Sequence, residues 1–193
     1  KLIKLIIMNL NNDDLIFNTN DLNFFVDNIW TNDFHSNQGG MGAPDLFSLW
    51  FILYKYKPKI IVESGIWKGL STKLIRKTLP ESKIISLDPI NLINKGFKDN
   101  NKNTTYFIGN NFVDFKDLDL SMFNPDDILC FFDCHQNALF RLLQCYKKNI
   151  KNIFFNDNYP KNCGSHYTIQ HILDNDDRKF KISKKNKDEL ISK

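Results

Sequence analysis

Four acidic side chains occupy equivalent positions in this sequence, because each one follows or ends a short run of apolar residues. They are Glu63, Asp88, Asp133 and Asp157. Since ligands in a parallel sheet bind beyond the carboxyl ends of the strands, we expect the four carboxyl groups to surround one crevice. Several carboxylates facing one cleft are costly unless a cation or a hydroxyl-rich ligand satisfies them. The pattern therefore predicts a binding site for such a ligand.

The first two acids belong to one continuous unit, residues 60–88. This stretch has the pattern of an apolar strand, a turn containing Gly65 and Gly69, a helix that stops at Pro80, and a second apolar strand ending at Asp88. A βαβ unit of this kind is typical of nucleotide binding. The glycines let the backbone approach a ligand, the helix N-terminus faces it, and the last acid accepts hydrogen bonds from a ribose.

The spacing of the turn, Glu-x-Gly-x-x-x-Gly, differs from the G-x-G-x-x-G of dinucleotide folds and disfavours a nicotinamide dehydrogenase. An acid at the end of the first strand would repel a pyrophosphate, but it suits a cationic ligand with an ammonium and a sulfonium. The turn resembles motif I of the class I S-adenosylmethionine-dependent methyltransferases. That resemblance implies S-adenosyl-L-methionine as cofactor, with Glu63 at its amino-acid end and Asp88 at its ribose. The expected contacts are Glu63, Gly65, Trp67, Gly69, Ser71, Asp88, and Asn110 and Asn111 near the adenine; for the two asparagines a plain turn is an open alternative.

The second pair of acids predicts a cation site. Carboxylate and amide oxygens at adjacent strand ends suit a hard cation such as Mg²⁺. Asp133 with Asp157-Asn158 resembles the metal site of catechol-type O-methyltransferases, which implies Asp133, Asp157 and Asn158 as metal ligands, with Asn156 as an open alternative to Asn158. The stretch FFDCHQ resembles the D-G-x-H signature of macrocin- and cephalosporin-biosynthesis-type methyltransferases, which implies His135 and Asp133 as catalytic residues, with His135 as the base. Helix capping for the acids and a packed or solvent-facing histidine are the structural alternatives.

Strands that alternate with helices predict an α/β fold with a doubly wound, mostly parallel sheet, similar to the Rossmann-like fold of class I methyltransferases. We expect a single domain over residues 1–193. It divides into an N-terminal helical cap and lead-in (1–57), a cofactor-binding α/β core (58–175) and a charged tail (176–193). Few residues follow the fifth predicted core strand, so a shortened C-terminal part is expected.

Composition narrows the functional classes. The 193 residues carry a net charge of +4, and nearly all of the positively charged residues are lysines, which makes nucleic acid an unfavoured partner. No segment approaches the roughly 20 apolar residues of a membrane helix. The four cysteines form no CxxC pair and predict reduced thiols, so we expect a cytoplasmic or other intracellular location, the host cytoplasm if the source is viral. A zinc site from Cys130, Cys134, His135 and Cys163 is a less favoured alternative.

The resemblance to these methyltransferases implies an enzyme that moves a methyl group from S-adenosyl-L-methionine to a hydroxyl oxygen, assisted by Mg²⁺. The resemblance to macrocin-type enzymes implies a small polyhydroxylated acceptor, such as a sugar in a glycan or nucleotide sugar. An RNA 2′-O-methyltransferase is an alternative, although no convincing Lys-Asp-Lys-Glu set is found. A catalytically inactive cofactor-binding subunit is another, and a homo-oligomer is left open.

Overall fold

The computed structural model describes residues 6–7, 16–35 and 40–174, which form one sheet with helices on both of its faces. The strands are β1 (Ile6–Ile7), β2 (Ile60–Ser64), β3 (Lys83–Asp88), β4 (Thr104–Ile108), β5 (Ile128–Phe132) and β6 (Asn152–Phe155). The helices are α1 (Thr19–Phe24), which continues as a π-helical turn (Phe25–Ile29), α2 (Asn32–His35), α3 (Ala43–Tyr56), α4 (Leu70–Thr78), α5 (Ala138–Lys147) and α6 (Ile169–Leu173). The predicted charged tail, 176–193, lies outside the described residues.

The sheet has the strand order β1-β6-β5-β2-β3-β4. The five strands β2 to β6 are all parallel, and β1 pairs antiparallel with β6 through Ile6 and Phe154. The chain runs from β2 outward to β4 and then returns to place β5 on the other side of β2. This arrangement confirms the predicted α/β fold with a doubly wound, mostly parallel sheet, and it puts the point where the winding reverses between β2 and β5.

Both faces of the sheet are buried, which explains why the strands are continuous apolar runs. Side chains alternate between the faces: Ile61 belongs to a core shared with α3 and α4, whereas its neighbour Val62 belongs to a core shared with α5. Helix α3 is buried along much of its surface, with Trp50 and Leu49 almost fully enclosed. The N-terminal helices thus share a core with the sheet.

None of the helices in the described part of the chain has the length and apolar character that crossing a bilayer requires.

Candidate functional site

A cleft of about 530 Å³ opens at the carboxyl ends of the parallel strands. The turns and loops that follow β2, β3, β5 and β6 line it, together with Gly40 from the segment before α3. Of the residues proposed from sequence, the structure brings together in this cleft Gly65, Trp67, Asp88, Asp133, His135 and Asp157. The prediction of one crevice at this edge of the sheet therefore holds for three of the four strand-end acids; Glu63 lies elsewhere.

Gly65 allows two of these loops to touch. Its backbone has a φ of +96°, and a β-carbon placed on it would lie 2.3 Å from the carbonyl oxygen of Asp133. Any other residue would therefore push the turn after β2 away from the loop after β5. Gly69 serves a different contact, because a β-carbon there would lie 2.1 Å from the carbonyl oxygen of Phe97. Gly69 sits at the start of α4 and outside the cleft lining, so we revise it from a cofactor contact to a packing glycine.

Asp88 ties the turn after β2 to the turn after β3. Its Oδ2 accepts hydrogen bonds from the backbone N–H groups of Ile66 (2.8 Å) and Trp67 (3.0 Å), and its Oδ1 accepts one from Ile90 (2.8 Å). The carboxylate therefore fixes the backbone of the glycine turn while remaining in the cleft lining. Three accepted bonds leave capacity for a ligand hydroxyl, because a carboxylate offers about four lone-pair sites.

Glu63 is fully buried and stabilises the turn between β2 and α4. Its two oxygens accept hydrogen bonds from the hydroxyls of Ser71 (2.6 Å), Thr72 (2.7 Å) and Ser86 (2.8 Å). Burial raises the pKa of the Glu63 carboxyl group, and the three hydroxyl donors oppose that rise. Neither Glu63 nor Ser71 lines the cleft, since each uses its side chain on the other. We therefore revise both from cofactor contacts to a buried support for the glycine turn and α4.

This assignment predicts a stability defect in a Glu63→Ala variant. The substitution removes three buried hydrogen bonds and leaves a cavity, so we expect the free energy of unfolding to fall by about 2–4 kcal/mol. Urea unfolding followed by circular dichroism measures the change. Glu81→Ala is the matched control; Glu81 is exposed, and its loss should alter stability by less than about 0.5 kcal/mol. Equal stability of Glu63→Ala and the parent protein would contradict the buried role.

Two cleft residues other than glycine adopt left-handed backbone angles: Trp67 has a φ of +52° and His135 a φ of +53°. Such angles are uncommon for residues with a β-carbon and tend to occur at functional sites. The Trp67 side chain is 48% exposed and, with Pro89 and Ile90, gives the cleft an apolar wall. Pro89 and Ile90 were not predicted from the sequence, although their position directly after the strand-end acid Asp88 could have indicated them.

Asn110 and Asn111 form a 3₁₀ turn with Gly109 at the end of β4. Both asparagines are exposed, and neither lines the cleft. The structure therefore supports the plain-turn alternative for these two residues over a contact with adenine.

The acidic wall of the cleft contains Asp133, His135 and Asp157, whose ligand atoms lie within 4.8 Å of one another. His135 Nε2 is 2.9 Å from Asp157 Oδ2, an ion-pair distance when the imidazole is protonated. Burial and the nearby Asp157 carboxylate raise the pKa of Asp133 to about 7, against a hydrogen bond from Asn156 that lowers it. The cluster thus holds negative charge in a partly dehydrated place, where a cation is stabilised.

The structure favours the alternative Asn156 over Asn158. It follows β6 directly and keeps the sheet register, because its N–H donates to the carbonyl oxygen of Phe132 (2.9 Å). Its Nδ2 donates to Asp133 Oδ1 at 3.1 Å. Asn158 instead accepts a hydrogen bond from the N–H of Gln170 (2.7 Å) at the start of α6, and it does not line the cleft. We therefore replace Asn158 by Asn156 in the candidate site.

The donor set fits a divalent cation. Two carboxylates and an imidazole lie within reach of one point, and the amide oxygen of Asn156 is enclosed with no hydrogen-bond partner among the described residues. Oxygen-rich sets of this kind suit Mg²⁺ or Mn²⁺. The alternative zinc set is not assembled in the part of the chain that the structure describes: Cys130 is buried in the core, whereas Cys163 is exposed.

No protein-family model and no curated protein matches this chain. The fold and the cleft are therefore the basis for a functional proposal.

Proposed function

We propose that this protein is an S-adenosylmethionine-dependent O-methyltransferase that methylates a hydroxyl of a small polyhydroxylated acceptor, such as a sugar, with a divalent cation in the acidic cluster. One observation carries the proposal. One cleft at the carboxyl edge of a doubly wound sheet is lined both by the Gly65 turn with Asp88 and by the cluster of Asp133, His135 and Asp157. A cationic cofactor and a hydroxyl acceptor fit this distribution of charge.

The cofactor half of the cleft contains Gly65, Trp67 and Asp88. Gly65 lets the turn after β2 lie against the loop after β5 and forms part of the cleft lining, and the exposed indole of Trp67 with Ile90 offers an apolar surface for a flat ring. The remaining lone-pair capacity of Asp88 suits a ribose hydroxyl. The cofactor, when bound there, supplies the methyl group.

The acceptor half is the acidic cluster. Methyl transfer requires an acceptor oxygen that is aligned with the methyl carbon and is partly deprotonated. His135 would accept this proton at Nδ1, since its Nε2 lies 2.9 Å from Asp157 Oδ2, and the Asp157 carboxylate would stabilise the imidazolium that results. Asp133, Asp157 and the amide oxygen of Asn156 would hold the cation, whose charge favours deprotonation of a nearby hydroxyl.

Calorimetry with S-adenosylhomocysteine, with and without Mg²⁺, tests the proposal most directly. We expect saturable binding by the parent protein and a loss of about 1–3 kcal/mol of binding free energy in Asp88→Ala, the scale of charge-assisted hydrogen bonds. Asp117→Ala is the matched control, because Asp117 is an exposed acid outside the cleft lining, and it should bind like the parent.

Three other outcomes would change the interpretation of the function. If the parent protein does not bind S-adenosylhomocysteine, the proposal is wrong. If it binds but methylates no hydroxyl compound across a broad panel of sugars and polyols, the inactive cofactor-binding subunit becomes the better interpretation. Tight RNA binding that persists at raised salt would favour the RNA 2′-O-methyltransferase instead.

A further inference from the structure

The loop between β6 and α6 places a second histidine against the candidate site. The ring of His166 stacks on the ring of His135, with centroids 5.4 Å apart and planes inclined by only 9°. The ring of Tyr159 packs edge-on against the ring of His166, with the two centroids 5.5 Å apart and the planes at 77°. The hydroxyl of Ser165 lies 3.2 Å from His166 Nδ1. Tyr159 and Ser165 therefore hold the His166 ring in place, and the ring of His135 stacks on it.

The backbone of this loop is shaped to hold Tyr159 and His166 together. Gly164 has a φ of +86°, and a β-carbon placed there would lie 2.1 Å from Cδ2 of the Tyr159 ring. Only glycine lets the chain fold this closely over the tyrosine. The hydroxyl of Thr168 donates to the carbonyl oxygen of Tyr159 (3.1 Å), which fixes the loop at the start of α6.

His135 is a residue that requires such support. Its side chain is 60% exposed, so the packing of the core does not restrict its rotamer. Exposed side chains change rotamer on the picosecond to nanosecond timescale. A base must nevertheless be held in reach of the group from which it takes a proton. Asp157 contacts one atom of the His135 ring, and the flat face of His166 contacts the ring plane.

We propose that His166 is a positioning residue for His135, holding its imidazole in the plane that keeps Nε2 beside Asp157 and the ring turned to the cleft. The inference rests on the proposed function, because it takes His135 as the proton acceptor. Because His166 is not part of the cleft lining, it would act on the reaction only through its contact with the His135 ring.

A pair of substitutions separates the flat ring from other properties of His166. His166→Phe keeps a planar ring on His135, whereas His166→Ala removes it. We expect kcat for methyl transfer to fall by about ten- to a hundredfold in His166→Ala with KM unchanged, and to stay within about threefold of the parent in His166→Phe. Phe140→Ala is the control, since Phe140 is an exposed aromatic residue of α5 outside the cleft. Parent-like turnover in His166→Ala, or an equal loss in His166→Phe, would overturn the proposal.

A second measurement needs no substrate. The carbon-13 relaxation of the His135 ring in nuclear magnetic resonance, assigned among the four histidines with His135→Ala, should report a rigid ring in the parent protein and in His166→Phe. It should report fast rotamer motion of the ring in His166→Ala. If His166→Ala does not fold, His166→Leu replaces it, because leucine keeps apolar volume but not the flat ring. Unchanged relaxation of the His135 ring in the folded variant would overturn the positioning role. The expected relaxation without any S-adenosylhomocysteine binding would instead retain that role and reject only the proposed reaction.

Discussion

Replacing Asp133 or Asp157 by asparagine is expected to lower the rate of methyl transfer by at least about a hundredfold, while the affinity for S-adenosylhomocysteine changes by less than about threefold. Losses of this size are typical when a metal site or a catalytic base loses its charged partner. Asparagine keeps the size of the side chain and one oxygen, but it removes the charge that a cation and the His135 imidazolium require. The glycine turn and Asp88 remain, because neither acid forms part of the cofactor half of the cleft.

Single-turnover rates and calorimetry on the same samples measure the two quantities. Asp117→Asn serves as the control for an acid outside the cleft. Parent activity should also fall in EDTA and return with Mg²⁺. If EDTA has no effect while His135→Ala abolishes turnover, no cation takes part and the base alone assists the step. If Asp133→Asn and Asp157→Asn both retain full turnover, the acceptor half of the cleft has been assigned to the wrong residues.

Asp133→Asn is also expected to stabilise the protein at pH 8, by about 2–4 kcal/mol in the absence of divalent cations. The pKa of Asp133 is about 7 in the folded protein and near its ordinary value of 3.8 in the unfolded chain. Between these values the folded state binds the proton more tightly, so stability decreases as the pH rises and the full cost is present above pH 7. Asparagine cannot ionise and avoids this cost.

Urea unfolding in EDTA at pH 4 and at pH 8 measures the effect. We expect the variant and the parent protein to differ little at pH 4, where the carboxyl group of Asp133 is protonated in the folded state. Asp117→Asn should show no comparable gain at pH 8. A variant less stable than the parent at pH 8 would show that the Asp133 carboxylate is favourably compensated in the folded protein, contrary to the desolvation that raises its pKa.

The fold could be predicted because short stretches of the sequence are enough to identify its strands. Residues 60–62 and 128–132 are apolar runs whose length and β-branched or aromatic content suit buried parallel strands. Once the strands are parallel, the residues that follow them must meet at one edge. This is why Asp88, Asp133 and Asp157 were predicted to share a cleft, and why the structure places them together.

The parts of the site that sequence did not predict depend on the direction of individual side chains. Glu63 follows the same pattern as the other strand-end acids, yet three hydroxyls converge on it only after α4 has packed on the sheet. Asn156 and Asn158 are equally plausible ligands in the sequence. The register of β6 and the start of α6 decide between them. His166 comes from a loop without periodicity, so no pattern could indicate its stack on His135.

The position of β5 next to β2 has a consequence for how the protein folds. Strands β2, β3 and β4 pair with neighbours that are close along the chain, so this half can form from contacts of short sequence separation. Val62 and its partner Cys130 are 68 positions apart, and closing so long a loop is slow. The cleft lies at the junction between strands β2 to β4 and strands β5 and β6, since Gly65 follows β2 and Asp133 follows β5. A chain in which only β2 to β4 have folded would therefore lack the binding site, because the site also needs the loops that follow β5 and β6.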